Sequence, residues 1–232
     1  MSDILANLQA VRQRIATAQQ ACSRADPVTL MAVSKTFSAE SVREAVAAGQ
    51  SCFGENYVQE ALGKMAALAD LRPQLEWHFI GPLQSNKTRQ VAEHFDWVHS
   101  IDRLKLAQRL SEQRPAGLQP LQVCIQVNIS GEATKGGVEP AEVLPLAQAI
   151  APLPNLRLRG LMAVPAPSDD PAEQRRAFAA LRHTLDTLRT GGLAVDTLSM
   201  GMSADLESAI AEGATIVRIG TAIFGARPRA AH

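Results

Sequence analysis

A lysine closes a short apolar run, Val28-Thr29-Leu30-Met31-Ala32-Val33-Ser34-Lys35. The run has the length and composition of a buried strand, with a proline before it and a helical pattern after it. An ammonium group loses hydration at such a place. Desolvation lowers a lysine's pKa and frees the amine as a nucleophile. The plainer alternative is a lysine that snorkels into water from the strand end. A second anomaly is Arg218, which interrupts the apolar stretch Ile216-Val217-Arg218-Ile219. A buried guanidinium needs an acceptor. It either pairs with a nearby acid such as Glu207 or serves as a permanent donor aimed at a ligand. Two short turns add a third signal. Ser199-Met200-Gly201-Met202-Ser203 and Gly220-Thr221 offer hydroxyls and backbone N–H groups, and the first feeds a helix. Together they suit an anion, although simple capping by Ser203 and a turn at Gly220 explain them as well.

These residues must be brought together by a scaffold, and the chain alternates regularly. Strand patterns fall at Val28–Val33, Ser51–Gly54, Leu75–Ile80, Phe95–Ser100, Leu121–Asn128, Leu156–Met162, Val195–Ser199 and Thr215–Ile219. Helical patterns lie between them, beginning with Ser41–Ala48, for which Ser38 is the expected N-cap and Gly49 the stop. Others run from Glu55 to Leu68, from Ser85 or Asn86 to Glu93, from Glu139 to Ala151 and from Ser203 to Glu212. A further helix precedes the first strand, with Ile4, Leu5, Leu8, Val11 and Ile15 at helical spacing. Alternation of this kind implies parallel strands and right-handed crossovers. Eight units predict a single (β/α)8 TIM barrel over residues 1–232, with an extra N-terminal helix. An open doubly wound sheet is disfavoured, since no Gly-x-Gly-x-x-Gly follows the first strand. In a barrel the strands' carboxyl ends carry the chemistry, and the loops after strands seven and eight are a frequent phosphate site.

Composition narrows the function classes. The chain has 232 residues, and Lys plus Arg balance Asp plus Glu at 23 each. That balance argues against nucleic-acid or membrane-surface partners. The cysteines Cys22, Cys52 and Cys124 are odd in number and widely spaced, as expected of reduced thiols in the cytoplasm. The N-terminus does not read as a signal peptide, and no apolar stretch is long enough to span a bilayer. The five histidines show no metal-ligand spacing. His78 and His99 end strand patterns, where a histidine is ordinarily a satisfied core residue. The stretch Gly131–Gly137 is glycine-rich but in the wrong order for a P-loop. Glu55, Glu60 and Asp205 read equally as acids or as solvated helix faces.

A lysine nucleophile, a phosphate cradle and an arginine in one barrel mouth point to pyridoxal phosphate. At this level the chain resembles the pyridoxal-phosphate-binding homeostasis proteins, whose fold is that of the alanine racemase barrel domain. The resemblance rests on Ala32–Lys35, Phe53–Glu60, Trp77–Lys87, Ser199–Ser203 with Asp205, and Val217–Gly220. It implies that Lys35 forms the internal aldimine. It implies that Ser203, Gly220 and Thr221 contact the phosphate, with Ser199, Met200 and Gly201 beside them. It implies that Arg218 faces the pyridine nitrogen, and that Asn56 and His78 lie near the cofactor. An arginine there favours an unprotonated ring nitrogen and weakens carbanion stabilisation. Alanine racemase takes a second acid/base, a tyrosine, from a further domain of its partner subunit. That domain is expected to be absent here, and the one tyrosine is Tyr57. The expectation is therefore a monomeric cytoplasmic protein that buffers cofactor or delivers it to apo-enzymes without efficient catalysis. The alternatives are a low-activity amino-acid racemase and a barrel that binds some other phosphorylated metabolite.

Overall fold

A computed structural model describes residues 3–131 and 136–226. Part of the glycine-rich loop at 131–137 and both ends of the chain lie outside those residues. Eight parallel strands form a closed barrel in the order β1-β2-β3-β4-β5-β6-β7-β8. They are β1 (Thr29–Val33), β2 (Cys52–Glu55), β3 (Glu76–Phe79), β4 (Trp97–Ile101), β5 (Leu121–Gln126), β6 (Leu156–Met162), β7 (Thr197–Ser199) and β8 (Ile216–Ile219). The ring closes where β1 pairs with β8, Thr29 opposite Ile216 and Ala32 opposite Ile219. All eight expected strands are present.

Each strand is followed by a helix on the outside: α2 (Ala39–Ala47), α3 (Val58–Ala67), α4 (Thr88–His94), α5 (Leu104–Gln113), α6 (Pro140–Ile150), α7 (Pro171–Thr190), α8 (Leu206–Ala211) and α9 (Thr221–Phe224). The last is a single turn, too short to cover β8. The helix that precedes the barrel, α1 (Ile4–Ala21), takes that place and lies against α8, α9 and α2. It buries Ile4, Leu8, Val11, Ile15 and Ala18, and Asn7 Nδ2 ties it to the Ile223 carbonyl at 2.9 Å. The extra N-terminal helix therefore completes the outer layer. Ser38 caps α2 by accepting from the Ser41 N–H, as expected.

Side chains alternate along each strand, so the barrel has two cores. The outward set, including Leu30, Phe53, Trp77, Val98 and Val217, packs under the helices. The inward set is mixed. Met31, Cys52, Trp97, Cys124, Met162 and Ile216 form a smaller apolar cluster inside the barrel. On the same inward phase His78, His99, Ser199 and Arg218 are buried polar residues. Gly54 makes room for this filling, because a Cβ there would stand 2.6 Å from Met31 Sδ.

Candidate functional site

The carboxyl ends of the strands surround a cavity of about 480 Å³. Lys35, Asn56, Ser203, Arg218, Gly220 and Thr221 all line it. The sequence reading placed these six in the site, and the structure brings them together. The other four stand behind the wall. Ser199, Met200 and Gly201 are buried in the strand end and turn below Ser203, and His78 is buried in the barrel interior. Val33, Ile80, Met162, Val164 and Met202 supply apolar walls, and none of them was among the expected cofactor contacts. Their common signal was position, each at or just past the carboxyl end of a strand.

Lys35 stands two residues past the end of β1, in the turn to α2, and is half-buried. Both neighbours of Lys35 are pinned. The Ser34 N–H donates to the Gly54 carbonyl at 3.0 Å, and Ser34 Oγ donates to Glu55 Oε1 at 2.6 Å. Lys64 Nζ donates to the Ser34 carbonyl at 2.6 Å. On the other side the Thr36 N–H donates to Glu60 Oε1 at 2.6 Å. Thr36 takes a φ of +69°, a left-handed conformation that costs a β-branched residue roughly 1–3 kcal/mol. These bonds hold that turn in place.

The clamp is itself an ion cluster. Lys64 Nζ lies 2.7 Å from Glu55 Oε1 and 2.6 Å from Glu60 Oε1. Glu55 is fully buried, and its Oε2 has no hydrogen-bond partner. Burial pushes the Glu55 carboxyl up from its ordinary range, against the pull of Lys64 and Ser34. Glu55 belongs to β2 instead of opening a helix, because α3 begins at Val58. Lys64 was overlooked in the sequence. Its spacing of four from Glu60 reads as an exposed helix pair, and nothing local shows that the pair faces the barrel.

Arg218 is held by neutral acceptors. Nη1 donates to Ser199 Oγ and Nη2 to the Ala163 carbonyl, each at 2.8 Å. Burial pulls it down to about 10, so it remains a cation at neutral pH. Glu207, the acid considered as its structural partner, instead pairs with Arg14 on the surface. The capping alternative for Ser203 fails as well. That residue does not cap a helix, because α8 starts at Leu206 with Asp205 in the cap position. Gly201, at φ +96°, turns the chain, and Asp205 Oδ1 accepts from the Met202 N–H at 2.6 Å. The Ser203 side chain is left to the cavity. Across from it, α9 begins at Thr221, and the Gly220 carbonyl takes the Ile223 and Phe224 N–H groups at 2.9 and 3.0 Å.

Below Arg218, His99 Nδ1 lies 2.8 Å from Ser199 Oγ, and His99 Nε2 lies 2.8 Å from His78 Nδ1. His78 Nε2 reaches Glu76 Oε1 at 2.8 Å and Cys52 Sγ at 3.2 Å. The donors of Cys52, Glu76 and His78 lie within 4.8 Å of one another. Two of those separations are hydrogen-bond lengths, whereas donors on a tetrahedral zinc stand roughly 3.3 Å or more apart. The trio is therefore a hydrogen-bonded cluster. No helix among the described residues is long and apolar enough to cross a membrane.

A closed parallel barrel with a lysine, an arginine and a hydroxyl-lined turn pair at its carboxyl mouth defines a class, the alanine racemase-type barrels. The chain belongs to the family described as "Alanine racemase, N-terminal domain", whose sequence profile matches residues 6–228. It is 65% identical over 229 residues to the "Pyridoxal phosphate homeostasis protein" of Pseudomonas aeruginosa, covering 98% of this chain and 97% of that one. The Escherichia coli K12 protein of the same name is 55% identical, with 98% of both chains covered. Among solved structures, PipY of Synechococcus elongatus PCC7942 with PLP bound superposes with a TM-score of 0.84 at 40% identity, covering 96% of this chain and all of that one. Alanine racemase from Corynebacterium glutamicum shares the fold at a TM-score of 0.70 and 20% identity, covering 99% of this chain and 62% of that one.

Proposed function

We propose that the protein binds pyridoxal 5'-phosphate in the carboxyl mouth of the barrel and serves intracellular cofactor homeostasis, holding the cofactor for release to apo-enzymes. The carrying observation is that the Lys35 amine, the Arg218 guanidinium and the Ser203 and Thr221 hydroxyls meet on one cavity. That set matches an aldehyde, a ring nitrogen and a phosphate. The apolar walls match the faces of a flat ring, and the volume suits a small cofactor. Asn56 adds a polar atom awaiting a partner, since its Oδ1 is buried with no hydrogen bond. The names of the relatives and the PLP-bound PipY support the same reading.

When bound, the cofactor supplies an electron sink. The chain's own residues do the holding. The Lys35 amine condenses with the aldehyde to a Schiff base and releases water. Arg218, a permanent donor, meets the ring nitrogen and keeps it unprotonated by charge repulsion. The walls exclude water. A two-base reaction needs a second acid/base facing Lys35. The one tyrosine of the sequence, Tyr57, is 58% exposed and does not line the cavity. This supports a carrier over a racemase.

Reconstitution tests the reading. Protein mixed with pyridoxal phosphate and dialysed should show a visible absorption band. Borohydride reduction should then fix the label on the peptide that carries Lys35, and Lys35→Ala should remove both signals. A colourless protein, or label fixed at another lysine, would overturn the proposal.

A further inference from the structure

The cavity is linked to the opposite end of the barrel by an unbroken polar chain. Arg218, Ser199, His99, His78 and Glu76 are joined by four hydrogen bonds of 2.8 Å each. The inner members are fully buried, whereas Glu76 is half-exposed at the amino-terminal mouth. His78 stacks on Trp97 at 5.2 Å and 13°, which fixes its ring plane.

The chemistry of the Glu76 end sets the direction of the chain. A guanidinium only donates and a carboxylate only accepts. Glu76 must therefore accept a hydrogen bond from His78 Nε2–H. His78 Nδ1 is then an acceptor and takes the Nε2–H of His99. His99 Nδ1 is in turn an acceptor and takes the hydroxyl proton of Ser199, whose oxygen accepts from Arg218. With one proton on each ring, both histidines carry it on Nε2. Burial, the largest cause, holds His99 well below the usual imidazole range, so that ring is neutral. The other groups facing the chain are Cys52 at His78, Arg159 near Glu76, and Asp205 and Cys124 near Arg218. Burial holds both thiols in their neutral form.

We propose that Glu76 is a remote positioning residue for the cavity: its carboxylate locks the His78–His99–Ser199 chain in one direction and so fixes the hydroxyl against which Arg218 is set. Arg218 alone does not impose that direction, because the Ser199 oxygen can accept from Arg218 and from a His99 Nδ1–H at once. An amide at position 76 both donates and accepts. It permits the reversed chain, in which both rings carry Nδ1–H and the Ser199 proton turns away from His99. Each ring keeps one proton in either direction.

The proposal deepens the cofactor reading and rests on it for one readout only. The first readout is the tautomer of His78 and His99 by long-range proton–nitrogen correlation in 15N-labelled protein without added cofactor. Both rings should be Nε2–H in the native sequence. Glu76→Gln should populate Nδ1–H at His99, a ring that does not touch residue 76. Either ring found as Nδ1–H or as imidazolium at neutral pH in the native protein would overturn the lock. So would a Glu76→Gln protein with native His99 signals. The second readout is pyridoxal phosphate affinity, expected to fall roughly three- to tenfold in Glu76→Gln (about 0.7–1.4 kcal/mol). Unchanged affinity would sever the link to the cavity. A native protein that fails to bind the cofactor would refute the cofactor reading and leave the tautomer result standing.

Discussion

The ammonium of Lys64 sits 2.6 Å from the carbonyl oxygen of Ser34, the residue immediately before Lys35. A helix lysine thus holds the backbone beside the cavity's own lysine. It also pairs with Glu55 and Glu60, which bind Ser34 Oγ and the Thr36 N–H. Lys64→Met leaves Glu55 buried without its counter-ion. Breaking such a pair costs about 3–5 kcal/mol. Urea denaturation should show a loss of that size, and Lys64→Met combined with Glu55→Gln should recover part of it. A single-variant loss below about 1 kcal/mol would show that the pair does not carry the turn.

Arg218→Lys keeps the charge but loses the fork that reaches both Ser199 and Ala163. Charge-assisted hydrogen bonds contribute about 1.5–3 kcal/mol. Pyridoxal phosphate affinity should fall roughly 10- to 100-fold in equilibrium titration. Glu207→Gln, which removes only the surface pair with Arg14, should leave affinity and stability near the native values.

Burial of the His99 ring in neutral form has a consequence for acid stability. Its folded pKa lies well below the ordinary value of 6.5, so below pH 6.5 the unfolded chain takes up a proton that the folded chain refuses. Stability is full above that pH and falls as the pH drops from 6.5 toward the folded value. Thermal melts between pH 8 and pH 5 should show this slope, and His99→Gln should flatten it. Parallel slopes in the two proteins would assign the effect to another group.

Thiol chemistry should divide the three cysteines. Cys124 is pushed up to about 12 and Cys52 is also raised, both by burial, while Cys22 is partly exposed. A thiolate is the reactive form. Iodoacetamide on the native protein should modify Cys22 alone, with Cys52 and Cys124 labelled only after denaturation. Mass spectrometry of digested peptides reads the result.

The carrier reading predicts little exchange of substrate α-protons. With Tyr57 turned to solvent, L-alanine incubated with loaded protein in deuterated water should keep its α-proton over many hours. Repeated catalytic exchange, followed by proton NMR, would restore the racemase alternative.

Much of this was legible in the sequence for a definite reason. Strand and helix periods differ, so eight alternations are visible from residue type alone. The carboxyl-end rule then gathers Lys35, Arg218, Ser203 and Thr221 into one mouth. What stayed hidden depends on side-chain direction across elements. Lys64 points inward from a helix whose spacing suits a surface pair. The contact of His78 with His99 joins neighbouring strands, and no sequence spacing reports it. The start of α8 was misplaced at Ser203 because a turn closed by Asp205 precedes the helix, and a hydroxyl three residues earlier looks like a cap.

The seating of α1 bears on how the chain comes together during synthesis. Its main partners are α8 and α9, and the Asn7 to Ile223 bond spans 216 residues. The pairing of β1 with β8 spans nearly as far. A helix synthesised before β1 can meet α2 early but leaves the rest of its apolar face uncovered until α8 and α9 emerge. Contacts of such long separation slow assembly and leave sticky surface exposed meanwhile. For this barrel, the helix that precedes β1 is among the last elements to find its full set of partners.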